Sequence, residues 1–345
     1  MKRVFSYLLV MLMLGFSVVS CNDDDNGPKG EFSSGVLVVN EGAFGKSDGS
    51  ISFYDPSSGE VKLDIFGLRN EGKATGDVVQ SVTVDGDLAY VVINNDDQMK
   101  VVNSNSFVSE YTLEGVTLPR YFTTYGGKGY LTEWVSFTDK GAVAVVNLQS
   151  HKIETTITTD FGAENIIAAN EKLFISNNFT NTISVLNPAT NTVTTTLEVA
   201  GSPGEFVIDS DNKLWVICGG DYGLDNGALY KINPSTNAIE KTIELGVSTS
   251  SHLVINKDKN QLYYISGKQI FKVSTTNPAK PANAFISNAS IVSAYGIGVD
   301  PKTDIIYVGD SKGFQVNGVV YRYKNDGTLI DSFTVGKGPN GFVFR

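Results

Sequence analysis

The chain has 345 residues, 37 acidic and 27 basic, for a formal net charge of −10. That balance excludes a nucleic-acid binder, which needs a basic stripe to neutralise phosphates. The only cysteines are Cys21 and Cys218, and no segment beyond the N-terminus carries a sustained helical period, so neither a disulfide scaffold nor a helical domain is expected.

The N-terminus reads as an address. Lys2 and Arg3 precede an apolar run over residues 8–16, and Val18-Val19-Ser20 leads into Cys21. The run falls short of the roughly 20 apolar residues that a membrane span needs. This segment resembles a bacterial lipoprotein signal: residues 1–20 are then a signal peptide, and Cys21 is the lipidated first residue of the mature chain. Cleavage removes Lys2 and Arg3, leaving 25 basic against 37 acidic residues, a net charge of −12. Residues 21–34, with Asn22-Asp23-Asp24-Asp25-Asn26, read as a solvated tether. The acidic patch after Cys21 resembles the surface-export signal of Bacteroidota lipoproteins. It implies a protein lipid-anchored to the outer membrane and exposed at the cell surface; the alternative is a plain spacer and a periplasmic protein.

From residue 35 to the C-terminus a unit of about 40 residues recurs about seven times. The clearest copy contains Ile166-Ile167-Ala168, Leu173-Phe174-Ile175, Thr182-Ile183-Ser184-Val185, the turn Asn187-Pro188 and Val193-Thr194-Thr195. Four strands at this period predict an all-β, seven-bladed β-propeller. Inner strands are expected near Ser81, Tyr121, Ile166, Phe206, Leu253 and Gly296. The segment before Val36 has no such strand, but Pro339-Asn340-Gly341-Phe342 supplies one at the other end. The last strand is therefore expected to complete the first blade and close the ring.

Turns on one face are terse: Asp85-Gly86, Gly126-Gly127, Asn187-Pro188, Asn233-Pro234. Asp209-Ser210-Asp211-Asn212 has the look of a calcium loop, but it sits where every blade has such a turn and lacks the later Gly and Glu ligands. The opposite loops carry Phe44, Trp134, Phe137, Phe179, Tyr222 and Phe314. Rings beside Asn and Gly amides form a ligand platform, unless each ring merely caps its own blade. A second set, Gln80, Arg120, Asn165, Glu205, His252, Tyr295 and Asn340, is expected at the mouth of the central channel, to orient a polar ligand or to line a water-filled channel. Glu205 and His252 are placed only to within one residue.

Enzymatic readings are thinner. No Cys/His set has metal-ligand spacing, so no metal is expected, and His252 is the one acid–base candidate on the aromatic side. The neighbouring Ser250 and Ser251 do not make it a nucleophilic pair. A lyase or lactonase site built from Arg120, Glu205, His252 and Tyr295 is the third reading; no catalytic residue and no catalytic cofactor are expected.

The Asn-Pro-x-Thr turns at residues 187–190 and 233–236 resemble those of the YncE-like seven-bladed propellers. The opening Val38-Val39-Asn40-Glu41-Gly42-Ala43-Phe44-Gly45 is similar to that of surface propeller lipoproteins of gut Bacteroidota, among them cobalamin-binding ones that cap an outer-membrane transporter. The resemblance implies capture of cobalamin and its transfer to a TonB-dependent transporter. Another nutrient, or a scaffold role in an outer-membrane complex, is the alternative. The resemblance carries no site residues; the twelve ligand-binding candidates come from the loops and the mouth, and are the thirteen residues named above without Glu205.

Overall fold

The computed structural model describes residues 30–345; the expected signal peptide, the expected lipidation site Cys21 and most of the expected tether lie outside them. Seven small antiparallel sheets form a β-propeller. Their inner strands are Val79–Asp85, Pro119–Tyr125, Ala163–Ala169, Pro203–Ile208, Leu253–Ile255, Ala294–Val299 and Pro339–Phe344. Helix is confined to Ile65–Arg69 and the 3-10 turn Lys312–Phe314 among the described residues, and no helix there is long and apolar enough to cross a membrane.

The second strands are short apolar runs buried on both faces, as in Leu214–Cys218, because each sheet is covered by a neighbour on either side. Tyr90, Val92, Phe122 and Leu131 lock the second blade to the third, and Trp215, Leu229, Leu262 and Tyr264 lock the fifth to the sixth. Each such side chain contributes about 1.5–3 kcal/mol of burial. The outermost strands are rich in Thr, Glu and Lys and largely exposed, as in Ala238–Glu244, which keeps these free edges from pairing with other chains.

The terse turns work as their sequences dictate. Asn147 Oδ1 accepts the Gln149 and Ser150 amides, and His151 closes that turn at φ 58°. Asp209, the calcium candidate, is already engaged: its carboxylate accepts the Asp211 and Lys213 amides and the Trp215 indole N–H.

Ring closure is as expected. Pro339–Phe344 pairs antiparallel with Val36–Asn40, Val36 opposite Phe344 and Val38 opposite Phe342. Arg345 then reaches the second blade, donating to Ser104 O at 2.9 Å and Asn105 Oδ1 at 2.9 Å.

The sixth blade departs from the four-strand expectation, having only Leu253–Ile255, Gln261–Ser266 and Gln269–Ser274. After it comes Asn277-Pro278-Ala279-Lys280-Pro281, whose prolines cannot donate to a ladder. A strap replaces the fourth strand and meets the third at Ile270, which exchanges two backbone hydrogen bonds with Ile286 and also accepts the Phe285 N–H.

A candidate ligand platform over the channel mouth

Phe44, Trp134, Phe137, Phe179, Tyr222 and Phe314 all lie in connections from a second to a third strand, so all six rings share one face. They do not form one cluster. Trp134, Phe137 and Phe179 gather, with ring centroids 4.7 to 5.8 Å apart. Phe314 lies edge-on to Tyr295 at 5.0 Å. Phe44 and Tyr222 stand apart in solvent, 78% and fully exposed. Two glycines allow the rings to lie on backbone: a Cβ on Gly162 would meet the Phe179 ring at 2.6 Å, and one on Gly338 the Phe314 ring at 2.4 Å. Both have positive φ, at 73° and 62°.

The mouth residues arise from a repeated backbone irregularity. In six blades the inner strand begins with a β-bulge, an extra residue that re-aims side chains. The bulges hold Gln80, Arg120 and Tyr121, Glu164 and Asn165, Glu205, Tyr295, and Asn340. Hydroxyls opposite take up the displaced amides: the Tyr121 N–H donates to Thr132 Oγ1 at 2.9 Å, and the Asn165 N–H to Ser176 Oγ at 3.0 Å.

These residues make a paired, buried network. Arg120 forks onto Glu164, Nε to Oε2 at 2.9 Å and Nη2 to Oε1 at 2.8 Å, a planar bidentate fit. Trp134 Nε1 donates to the same carboxylate at 2.7 Å, and the Arg120 guanidinium lies 3.8 Å from the Trp134 ring. His252 Nδ1 meets Glu205 Oε1 at 3.0 Å, and the Leu253 N–H donates to Glu205 Oε2. The Tyr295 hydroxyl donates to Glu41. Burial works against the charge on His252, but Glu205 outweighs it and the imidazole pKa is raised. Burial also pushes the Glu41 carboxyl up, only partly countered by Tyr295 and Arg120.

Gln80 and Asn340 lie deeper, where Asn340 Nδ2 donates to Gln80 O at 3.0 Å. Asn165 sits beside the Arg120–Glu164 pair, its own amide taken by Ser176. Glu41, Glu164 and Tyr121 belong to the network but were not among the sequence candidates: for Glu164 and Tyr121 a bulge breaks the alternation by which inward residues are counted, and Glu41 lies in the loop that follows Val36–Asn40. Glu164 adjoins Asn165, so the only available signal was a charged residue at the start of an inner strand. The one described cysteine, Cys218, is fully buried, and burial pushes its thiol up, which leaves it inert.

A family described as a domain of unknown function, DUF5074, matches residues 34–344, and the chain belongs to it. No curated protein matches the sequence. Among solved structures, a quinonprotein alcohol dehydrogenase-like protein from Bacteroides thetaiotaomicron is similar with a TM-score of 0.71 at 15% identity, over 91% of this chain and 78% of that one. A functionally unknown protein from Desulfotomaculum acetoxidans gives 0.65 at 10% identity, over 90% and 98%. Hydrazine synthase of Kuenenia stuttgartiensis gives 0.60 at 15% identity, over 78% and 92%. At these identities the likeness is one of fold.

Proposed function

We propose that this DUF5074 propeller captures a corrinoid such as cobalamin on its aromatic face and passes it to a TonB-dependent transporter in the outer membrane, to which Cys21 anchors the chain by its lipid. The observation that carries the reading is the Trp134–Phe137–Phe179 cluster, open to solvent beside a polar mouth. Phe137 is 73% exposed although it is a large apolar ring. Such a surface suits a broad, flat ligand with an amide-bearing edge better than a small solute, which would need enclosure.

The groups that an enzyme would use are committed to one another: Arg120 to Glu164, His252 to Glu205, Tyr295 to Glu41. That favours a binding platform over a lyase or lactonase, because a catalytic acid or base must be free to meet the reactant. The solvent-facing Tyr222 and Leu224 on the same face offer an apolar contact for the transporter.

Calorimetry with cyanocobalamin tests the reading. Saturable binding, with a coloured complex that survives gel filtration, is expected. No heat and a colourless protein would overturn corrinoid capture and leave another nutrient or a scaffold role as the reading.

A further inference from the structure

Below the mouth network the central channel holds a cavity of about 480 Å³, within the size range of small-molecule sites. Its lining stops upwards at Gln80, Tyr121, Glu205 and Asn340 and runs down to Pro301 beside the terse turns. Arg120, Glu164 and His252 do not line it, so the cavity is separate from the aromatic platform.

The polar side chains on this wall have little left for a charged guest. Glu205 Oε1 is paired with His252 Nδ1, and Oε2 accepts the Leu253 N–H. Gln80 Oε1 and Asn340 Oδ1 are enclosed, out of reach from the cavity. The Ser81 hydroxyl donates to Arg120 O at 2.7 Å, the Thr83 hydroxyl to Phe122 O at 2.6 Å, and Asn340 Nδ2 to Gln80 O. These bonds also cap carbonyls on the edges of the inner strands. Burial, with Glu205 and Glu164 nearby, keeps the Tyr121 phenol protonated and neutral.

What the side chains leave accessible is mostly hydrocarbon. Val82, Val207, Val254, Ile255, Phe342 and Phe344 line the cavity and are only half-buried, so each keeps apolar surface that no neighbouring blade covers. Covering such surface is favourable, and apolar cavities take up hydrocarbon or xenon. A charged guest would lose its hydration and meet no free counter-group.

We infer that the channel is a second binding site, for an uncharged and chiefly hydrocarbon molecule such as a medium-chain alcohol. The inference does not depend on what the aromatic platform binds.

The probe is N-phenyl-1-naphthylamine, an uncharged molecule whose fluorescence rises in apolar surroundings, titrated into the whole mature protein. One saturable site is expected. 1-Octanol is expected to displace the probe at least tenfold more effectively than octanoate or n-octylammonium, which share its tail but carry a charge. Val207→Phe and Val254→Phe, which narrow the cavity, are each expected to weaken the probe at least tenfold. If neither variant folds, crystals of the parent under xenon decide the matter, with xenon expected against Val207 and Val254. No saturable binding, displacement by the charged tails as readily as by the alcohol, binding unaltered in either folded variant, or a channel holding only water under xenon would overturn the site. Cyanocobalamin binding is measured separately, so either site can fail without the other.

Discussion

The guanidinium of Arg120, from the third blade, and the carboxylate of Glu164, from the fourth, meet through two parallel hydrogen bonds of 2.9 and 2.8 Å at the top of the channel. The pair ties neighbouring blades together, and it holds Trp134 upright through a third hydrogen bond and a stacked cation. Channel and platform are thus mechanically one unit.

Removing one partner of that pair is expected to be severe. Glu164→Ala strands the Arg120 charge where its side chain is only 11% exposed, a loss of about 3–5 kcal/mol by analogy with other buried pairs. Urea denaturation should show it as a lower midpoint. A midpoint equal to that of the parent would mean that water or another carboxylate replaces Glu164.

The exposed ring offers the opposite test. Phe137→Ala should leave the melting temperature unchanged, because the ring is mostly in solvent. It should weaken cyanocobalamin by about 2 kcal/mol if Phe137 is an anchor. Trp134→Ala should reduce both affinity and stability, since Trp134 also braces the ion pair. Calorimetry alongside thermal melts separates the two effects, and unchanged affinity in Phe137→Ala would remove that ring from the site.

Glu133 gives a pH dependence. Burial raises its carboxyl to about 7, against the Thr117 N–H that it accepts, with Asp97 adding in the same direction. Its ordinary value is 4.5, so below that pH both folded and unfolded states hold the proton and no penalty arises. As pH rises towards 7 the unfolded chain ionises first. The fold then loses stability, on the order of 3 kcal/mol, and the loss levels off above 7. Glu133→Gln should not suffer this loss, so its advantage over the parent should grow between pH 4.5 and 7. Parallel stability curves would refute the assignment.

Closure should be cooperative. Deleting residues 338–345 takes the inner strand from the first blade and with it the Arg345 contacts to Ser104 and Asn105. The exposed edge of Val36–Asn40 should lower the melting temperature of the whole disc and promote association. Arg345→Ala alone should cost about 1 kcal/mol. A truncated chain melting like the intact one would show that the ring does not depend on its last strand.

Blade number, ring closure and the division into a terse and an aromatic face were all legible in the chain, because each depends on local signals. The 40-residue period, Asp-Gly and Asn-Pro turns, and a missing first strand balanced by Pro339-Asn340-Gly341-Phe342 need no knowledge of distant contacts. Tertiary structure decided which side chains meet. A bulge at the start of six inner strands shifts the in–out alternation, so Glu164 and Tyr121 reach the network although counting by twos did not single them out. The partners of Arg120, His252 and Tyr295 come from other blades, 44, 47 and 254 residues away along the chain. Only closure of the ring brings such residues within hydrogen-bonding distance, because these partners stand on different blades.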